Sequence, residues 1–291
     1  MTIAAGFKVQ DGILLCADTQ YTGAMKVQQQ KIFPITIAGE PYAFAIAGNE
    51  VYGKMAIQEC QEAIADLPVE NRTERAVRRS LAHVVKTFNE EYIDTRPETE
   101  REGARFDLLV AAWVPRGGGL NLFSTKGVGL IHEPDYQCIG TGDYLAHYLI
   151  RPVFHRMMLI REVVLLAIQM LASCKTYDAY CGGFSQLIVL GVDGKLTPVE
   201  HFEVSQSEGR IENYDRETRQ LLFSLSDPAM DDSGFQGRLD RFIEQVQMLR
   251  ASWRGKGFEY IIQKLSPSQA VDPESPQPPT HDPSGQPPSP E

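Results

Sequence analysis

The first twenty residues, MTIAAGFKVQDGILLCADTQ, constrain the fold more than any other stretch of the chain. Two apolar runs, Ile3 to Val9 and Ile13 to Ala17, flank the dipeptide Asp11-Gly12. This arrangement is a strong signal for a tight β-hairpin. The sequence therefore predicts that a strand begins at about Thr2, although chain termini are usually poorly ordered unless packing holds them in place.

The rest of the chain groups its strands together and its helices together. Apolar alternation predicts strands at 31–39, 41–48, 106–114, 120–127, 136–143, 184–192 and 196–202. Helical periodicity predicts helices at 50–67 with Asn49 as the cap, at 73–93, from about 144, and at about 159–174. Grouped elements favour sheets covered by helices over alternating βαβ units. We therefore expect an α+β fold, a four-layer α-β-β-α sandwich.

The character of the chain changes beyond the last predicted strand. We expect a sandwich domain at 2–203 and a C-terminal helical extension at 204–265, in which 235–253 has an apolar helical face. The segment 266–291 holds 9 of the 18 prolines and no aromatic residue. Such a segment cannot offset its ordering entropy by burial, so it is predicted to be a disordered tail.

Composition argues against several classes of function. A formal net charge of −10 makes an electrostatic nucleic-acid binder a poor candidate. The five cysteines form no CxxC pair and the histidines form no HExxH motif, so no disulfide framework, metal site or other cofactor is expected. The most apolar helix candidate, 163–172, is about half the length needed to span a bilayer. We expect a cytoplasmic protein that binds neither membranes nor nucleic acid.

Thr2 is a candidate nucleophile if Met1 is removed. A threonine hydroxyl is weakly nucleophilic without an adjacent base. Removal of Met1 would supply that base as the α-amino group of Thr2, whose reference pKa is about 7.7–8.0. Many proteins begin Met-Thr, so this pair indicates nothing by itself. Cys16 is an alternative nucleophile by residue type, but its place within an apolar strand indicates a buried structural cysteine.

Four stretches together resemble the proteasome β-subunit and bacterial proteasome-like peptidase family of N-terminal nucleophile hydrolases. The opening TIAAGFKVQDGILLCAD is similar to the start of the mature subunits, without a gap from Thr2 to Asp18. The stretches AIAGNE, IGTGD and DAYCGG follow in the family's order. The resemblance spans about residues 2–200 and implies the sandwich of that family.

The resemblance implies a role for each matching position. Thr2 would be nucleophile and base, and Asp18 would pair with Lys31, whose cation lowers the pKa of the amine. Gly48 would offer its backbone N–H to the oxyanion. The amine and a nearby water would be held by Thr141, Asp178 and Cys181. The specificity pocket would be lined by Tyr21 and Ile46.

This sequence departs from the family pattern at several of these positions. Cys181 stands where the family has serine, and Asn49 replaces the second glycine of Ala-Gly-Gly. The spacing from Asp18 to Lys31 is shorter than in the family, which leaves Lys26 as a rival. Counting outward from a turn at Asp11-Gly12 places Asp18 opposite Ala5, on the face away from Thr2. A β-bulge, or a contact through Lys31, would then be needed.

Each site position also has a structural interpretation. Asp18 can turn the chain after a strand, Gly48 can be a turn glycine between strand and helix, and Asp178 can end a helix. The resemblance implies a threonine endopeptidase that cleaves peptides or unfolded proteins. It also implies a homo-oligomeric ring and an ATP-dependent unfoldase as partners. The alternatives are a small-amide hydrolase on the same fold and a non-catalytic assembly subunit.

Overall fold

The computed structural model describes residues 2–22, 26–116 and 119–254. Two five-stranded sheets form its centre. The first sheet has the order β10-β1-β2-β11-β12, with β1 Ala4–Val9, β2 Gly12–Asp18, β10 Tyr136–Ile139, β11 Ser185–Gly191 and β12 Leu196–Pro198. The second has the order β5-β6-β7-β8-β9, with β5 Ile32–Ile37, β6 Glu40–Gly48, β7 Phe106–Val114, β8 Gly119–Lys126 and β9 Gly129–Glu133. A small hairpin joins β3 Gln20–Thr22 to β4 Lys26–Gln28.

Helices cover the outer face of each sheet. The second sheet packs against α1 Glu50–Ala65 and α2 Glu74–Phe88, and the first against α4 Asp143–Ile150 and α5 Ile160–Tyr177. A third apolar cluster, which includes Leu15 and Leu109, lies between the sheets. The predicted α+β fold and four-layer α-β-β-α sandwich are thus confirmed. A short helix, α3 Glu98–Ala104, precedes β7.

Two long helices, α6 His201–Ser224 and α7 Asp232–Trp253, follow the sandwich and pack against each other. The N-terminal half of α6 buries Val204, Ser207 and Ile211 against the core. The predicted strand at 196–202 is wrong in its second half, because β12 ends at Pro198 and α6 begins at His201. The predicted division at 203 and 265 stays a prediction, and the segment 266–291 lies outside the described residues.

The register of the first hairpin differs from the prediction, and the difference moves Asp18. Val9 pairs with Gly12, so the turn consists of Gln10 and Asp11. The Asp11 side chain accepts a hydrogen bond of 2.8 Å from the N–H of Ile160, where α5 begins. Because this contact uses Asp11 to hold a distant helix, the turn shifts by one residue toward the N-terminus. Asp18 then lies opposite Ile3, and its N–H donates to the Ile3 carbonyl at 3.2 Å. The expected pairing with Ala5 is therefore wrong.

Candidate active site

The side chains of Thr2, Asp18 and Lys31 meet in one cluster. The Thr2 hydroxyl donates a hydrogen bond to Oδ1 of Asp18 and accepts one from Nζ of Lys31. Lys31 Nζ also lies 2.5 Å from Asp18 Oδ1. All three residues are completely buried. Burial of an ammonium and a carboxylate is costly unless they are paired, and here the two charges converge on one hydroxyl.

The two sheets each contribute one of the charges. Asp18 ends β2 in the first sheet, whereas Lys31 directly precedes β5 in the second. The Lys31 N–H donates to Oε1 of Gln186 at 2.8 Å, and its carbonyl accepts from Ile46 at 3.0 Å. These backbone contacts join Lys31 to β11 and β6, so both sheets fix the position of the ammonium group.

Lys31, and not Lys26, is the lysine that reaches Thr2. The Lys26 ammonium instead donates to the carbonyl of Ala179 at 3.3 Å in an exposed position. Burial lowers the pKa of Lys31, and the adjacent Asp18 carboxylate opposes that shift. Of the two lysines that the sequence left open, Lys31 is therefore the one whose ammonium group lies at Thr2.

Backbone N–H groups hold the Asp18 carboxylate in place. The Ile3 N–H donates to Oδ1 at 3.2 Å, and the Gly182 N–H donates to Oδ2 at 2.8 Å. A Cβ at Gly182 would lie 2.5 Å from Oε1 of Gln20. Gly183 has a φ of +72°, and a Cβ there would lie 2.5 Å from Oγ1 of Thr19. Sequence reasoning did not assign roles to these two glycines, although they directly follow Cys181 in a quoted motif.

The segment 140–142 wraps around the carbonyl of Thr2. The Gly142 N–H donates to that carbonyl at 3.3 Å, and the Thr141 hydroxyl lies 3.5 Å from it. Gly140 has a φ of +97°, and a Cβ there would lie 2.2 Å from the Thr2 carbonyl oxygen. Only glycine fits this close approach. Thr141 therefore lies beside Thr2, on its carbonyl side, and is itself exposed.

Asp178 and Cys181 lie next to this carbonyl segment. A Cβ at Gly142 would lie 2.8 Å from Cys181 Sγ and 3.6 Å from Asp178 Oδ2. The Asp178 side chain accepts a hydrogen bond from the N–H of Tyr180 at 2.8 Å. Burial, followed by the charges of Asp18 and Asp178, raises the pKa of the Cys181 thiol. The thiol is therefore protonated at neutral pH, able to donate a weak hydrogen bond.

Gly48 occupies a position that requires glycine for local reasons. It ends β6 with a φ of +88°, and a Cβ there would lie 2.5 Å from the carbonyl oxygen of Arg105. Its neighbour Ala47 lies against Gly140, 3.2 Å from the Cβ position of that glycine, so the end of β6 borders the segment around Thr2. Asn49 accepts a hydrogen bond from the Tyr52 N–H at 3.1 Å, and its predicted role as the cap of α1 is confirmed.

The two residues expected to line a specificity pocket lie in different surroundings. The Tyr21 ring lies beside the Lys31 ammonium, 4.7 Å from centroid to Nζ, and its hydroxyl has no hydrogen-bond partner among the described residues. Burial raises the pKa of Tyr21. Ile46 is completely buried and packs against Gly53 of α1. Its side chain therefore lies in the core beneath α1 and not on an open surface.

Across 2–22, 26–116 and 119–254, no group of three or more His, Cys, Asp or Glu side chains is placed to hold a metal ion. No helix in that part of the chain has the length and apolar character to cross a membrane.

Comparison with known proteins agrees with the fold. A family model described as "Proteasome subunit" matches residues 2–190. A solved structure of Anbu (ancestral beta-subunit) from Yersinia bercovieri is similar, with a TM-score of 0.63 and 14% identity over 79% of this chain and 99% of that chain. Anbu from Hyphomicrobium sp. strain MC1 is similar too, with a TM-score of 0.63 and 13% identity over 79% of this chain and 100% of that chain. No curated protein matches this chain.

At these identities the structural likeness shows the fold alone, an α-β-β-α sandwich. The family model carries more, because it covers well over half of the chain and begins at Thr2. The protein belongs to the proteasome subunit family.

Proposed function

We propose that this protein is a threonine peptidase that cleaves peptide bonds through an acyl-enzyme on Thr2. The observation that carries the proposal is the contact of the Thr2 hydroxyl with both the Asp18 carboxylate and the Lys31 ammonium in a fully buried cluster. A cation held against a hydroxyl stabilises the alkoxide character that a nucleophile must develop. The proposal requires removal of Met1, which frees the α-amino group of Thr2.

The reaction is a two-step acyl transfer. The Thr2 oxygen attacks the carbonyl carbon of the substrate while the Thr2 amine takes the hydroxyl proton. The C–N bond then breaks, the proton passes to the leaving amine, and an ester remains on Thr2. Water attacks this ester, with the same amine as general base, and releases the acid and free Thr2. The positive charge of Lys31 lowers the pKa of that amine and so favours its unprotonated, basic form.

The remaining residues have supporting roles in this proposal. The Gly48 N–H stabilises the oxyanion, and Thr141, Asp178 and Cys181 hold the amine and a water beside Thr2. Tyr21, adjacent to Lys31, contributes to the pocket for the residue before the cleaved bond. Ile46 supports that pocket from the core, since it is completely buried.

The proposed substrates are peptides and unfolded proteins, and the proposed assembly is a homo-oligomeric ring served by an ATP-dependent unfoldase in the cytoplasm. Membership of the proteasome subunit family supports this assembly. Size-exclusion chromatography with light scattering tests it, because a monomeric mass would contradict the ring. Turnover of fluorogenic peptides beside small acyl amides tests the substrate class, since turnover of amides alone would favour the small-amide hydrolase.

Intact-mass spectrometry before and after incubation with a peptide epoxyketone tests the nucleophile. This reagent forms its stable adduct only with a hydroxyl and a free amine on the same N-terminal residue. We expect loss of Met1 and one adduct in the wild type and in Thr2→Ser, and no adduct in Thr2→Ala. Retention of Met1 with no adduct would contradict the proposal and favour a non-catalytic assembly subunit.

A further inference from the structure

The connection between α5 and β11 carries three residues that lie against Gly142 or Asp18, the residues that contact Thr2. Asp178 and Cys181 lie against Gly142, and the Gly182 N–H donates to Asp18 Oδ2 at 2.8 Å. The same connection continues into Phe184, whose N–H donates to Thr19 Oγ1 at 2.8 Å. The position of the Asp18 carboxylate therefore depends on how this connection is held.

One carboxylate from α6 joins the two ends of the connection. Oε1 of Glu208 accepts from Nζ of Lys175 at 2.8 Å and from Oγ of Ser185 at 2.5 Å. Lys175 lies in the last turn of α5, and Ser185 is the first residue of β11. Because both donors reach the same oxygen, Glu208 fixes the distance between the points where the connection leaves α5 and enters β11.

The Ser185 end of this bridge is directly linked to the candidate site. Ser185 pairs with Asp18 in the ladder between β11 and β2, and it is 4% exposed. The side chains of Lys175 and Glu208 are each 14% exposed. Charge-assisted hydrogen bonds with little exposure to water are stronger than surface ion pairs. A displacement of Ser185 would move the strand that flanks Asp18.

We propose that Glu208 is a positioning residue for the Thr2 nucleophile, acting through Ser185, the 175–185 connection and Asp18. This inference rests on the proposed function. It assigns a role in the reaction to α6, which lies beyond the residues matched by the family model. The Glu208 carboxylate binds Lys175 and Ser185 and not Thr2 or Lys31, so its effect is on geometry and not on proton transfer.

The test is the rate of epoxyketone adduct formation, measured as kinact and KI for the full-length protein, with the labelled fraction read by intact mass. For Glu208→Gln we expect kinact to fall about 10- to 100-fold, because small displacements of reacting groups cost rates of this size. KI should stay within about twofold of wild type because the residues that contact the peptide are unchanged. The matched control is Glu212→Gln, an exposed position one turn further along α6, which should label at the wild-type rate.

Ser185→Ala provides a second variant that removes only one hydrogen bond to Glu208. We expect it to lower kinact in the same direction, and the double variant Ser185→Ala/Glu208→Gln to lose less than the product of the two single losses. This non-additivity is the mark of residues that act as one unit.

The outcomes separate the inference from the proposed function. If wild type and Thr2→Ala both remain unlabelled, the proposed function has failed, and the role of Glu208 fails with it. If wild type is labelled and Glu208→Gln has an unchanged kinact, the positioning role alone is overturned. A smaller labelled fraction with unchanged kinact would show that Glu208 only maintains the folded state, which also overturns the inference.

Discussion

Two ion pairs in the described part of the chain are almost completely excluded from water, and their surroundings differ. Lys31 and Asp18 approach to 2.5 Å and enclose the Thr2 hydroxyl. Arg72 and Glu40 lie 3.8 Å apart, and the Arg72 guanidinium donates to the carbonyls of Leu67 and Ala65 at the end of α1. In the second pair, Arg72 therefore donates hydrogen bonds to carbonyls that would have no partner at the end of a helix.

This comparison shows that burial of opposite charges does not by itself identify an active site. The Arg72 pair has a sufficient structural explanation in the end of α1. Neither member of the Lys31 pair bonds to the end of a helix, and both charges instead contact the Thr2 hydroxyl, which can react. A nucleophilic group between the charges is therefore the feature that distinguishes the two pairs.

The largest expected difference between the pairs is in activity. Lys31→Met should lower the rate of peptide cleavage per folded site by about 1000-fold, because it removes the cation beside the Thr2 hydroxyl. Arg72→Met should leave the rate per folded site within about twofold of wild type. The measurement is cleavage of a fluorogenic peptide, normalised to folded protein by circular dichroism. Lys26→Met is the matched control for loss of an exposed lysine near the site.

Equal losses of activity in Lys31→Met and Arg72→Met would remove the distinction between the pairs. Equal losses in Lys31→Met and Lys26→Met would show that general positive charge, and not the buried contact with Thr2, supports the reaction.

The second difference is in stability. Arg72→Met should lower the free energy of unfolding by about 3–5 kcal/mol, because the Glu40 carboxylate would stay buried without a cation, with the Tyr42 hydroxyl as its hydrogen-bond donor. Two carbonyls at the end of α1 would also lose their donors. Urea denaturation followed by circular dichroism measures this change. A loss below about 1 kcal/mol would show that water or a rearranged side chain replaces Arg72 without cost.

Replacement of both charges at the site provides the third prediction. The double variant Asp18→Asn/Lys31→Met should unfold within about 1 kcal/mol of wild type or be more stable, since apolar or neutral isosteres often replace a buried ion pair without loss. The same variant should be inactive. Together these results would show that the pair at Thr2 is retained for reactivity and not for stability. A loss of more than about 3 kcal/mol in urea denaturation would contradict that view.

Local patterns in the sequence were sufficient for the four layers, whereas the candidate cluster was predicted only through the family resemblance. Apolar alternation and helical spacing located most strands and helices, and the resemblance placed Thr2, Asp18 and Lys31 in one site. The register of the first hairpin could not be predicted, because Asp11 binds the start of α5 at Ile160, which is distant in sequence. Turn propensity describes only neighbouring residues, so it favoured the wrong pair of turn residues.

Other features depend on tertiary contacts that no motif reports. Ile46 is buried because α1 approaches it closely at Gly53. Glu208 meets Lys175 and Ser185 only after α6 packs against α5 and β11. Such contacts are set by packing between elements, whereas the sequence analysis used spacing within elements.

The smallest expected difference concerns the thiols near the two pairs. Cys60 lies in α1, whose end Arg72 holds, and Cys174 lies in α5 near the site; burial raises the pKa of each to about 12. Because the thiolate is the reactive form, both should be modified by iodoacetamide at pH 8 about 1000-fold more slowly than a free cysteine. Peptide mass mapping over time, with a urea-unfolded sample as the reference for full reactivity, measures each rate. We expect the two rates to agree within about tenfold, because burial raises the pKa of both thiols by a similar amount. Modification of Cys174 more than about 100-fold faster than Cys60 would show that the region around Thr2 opens locally while the end of α1 stays closed.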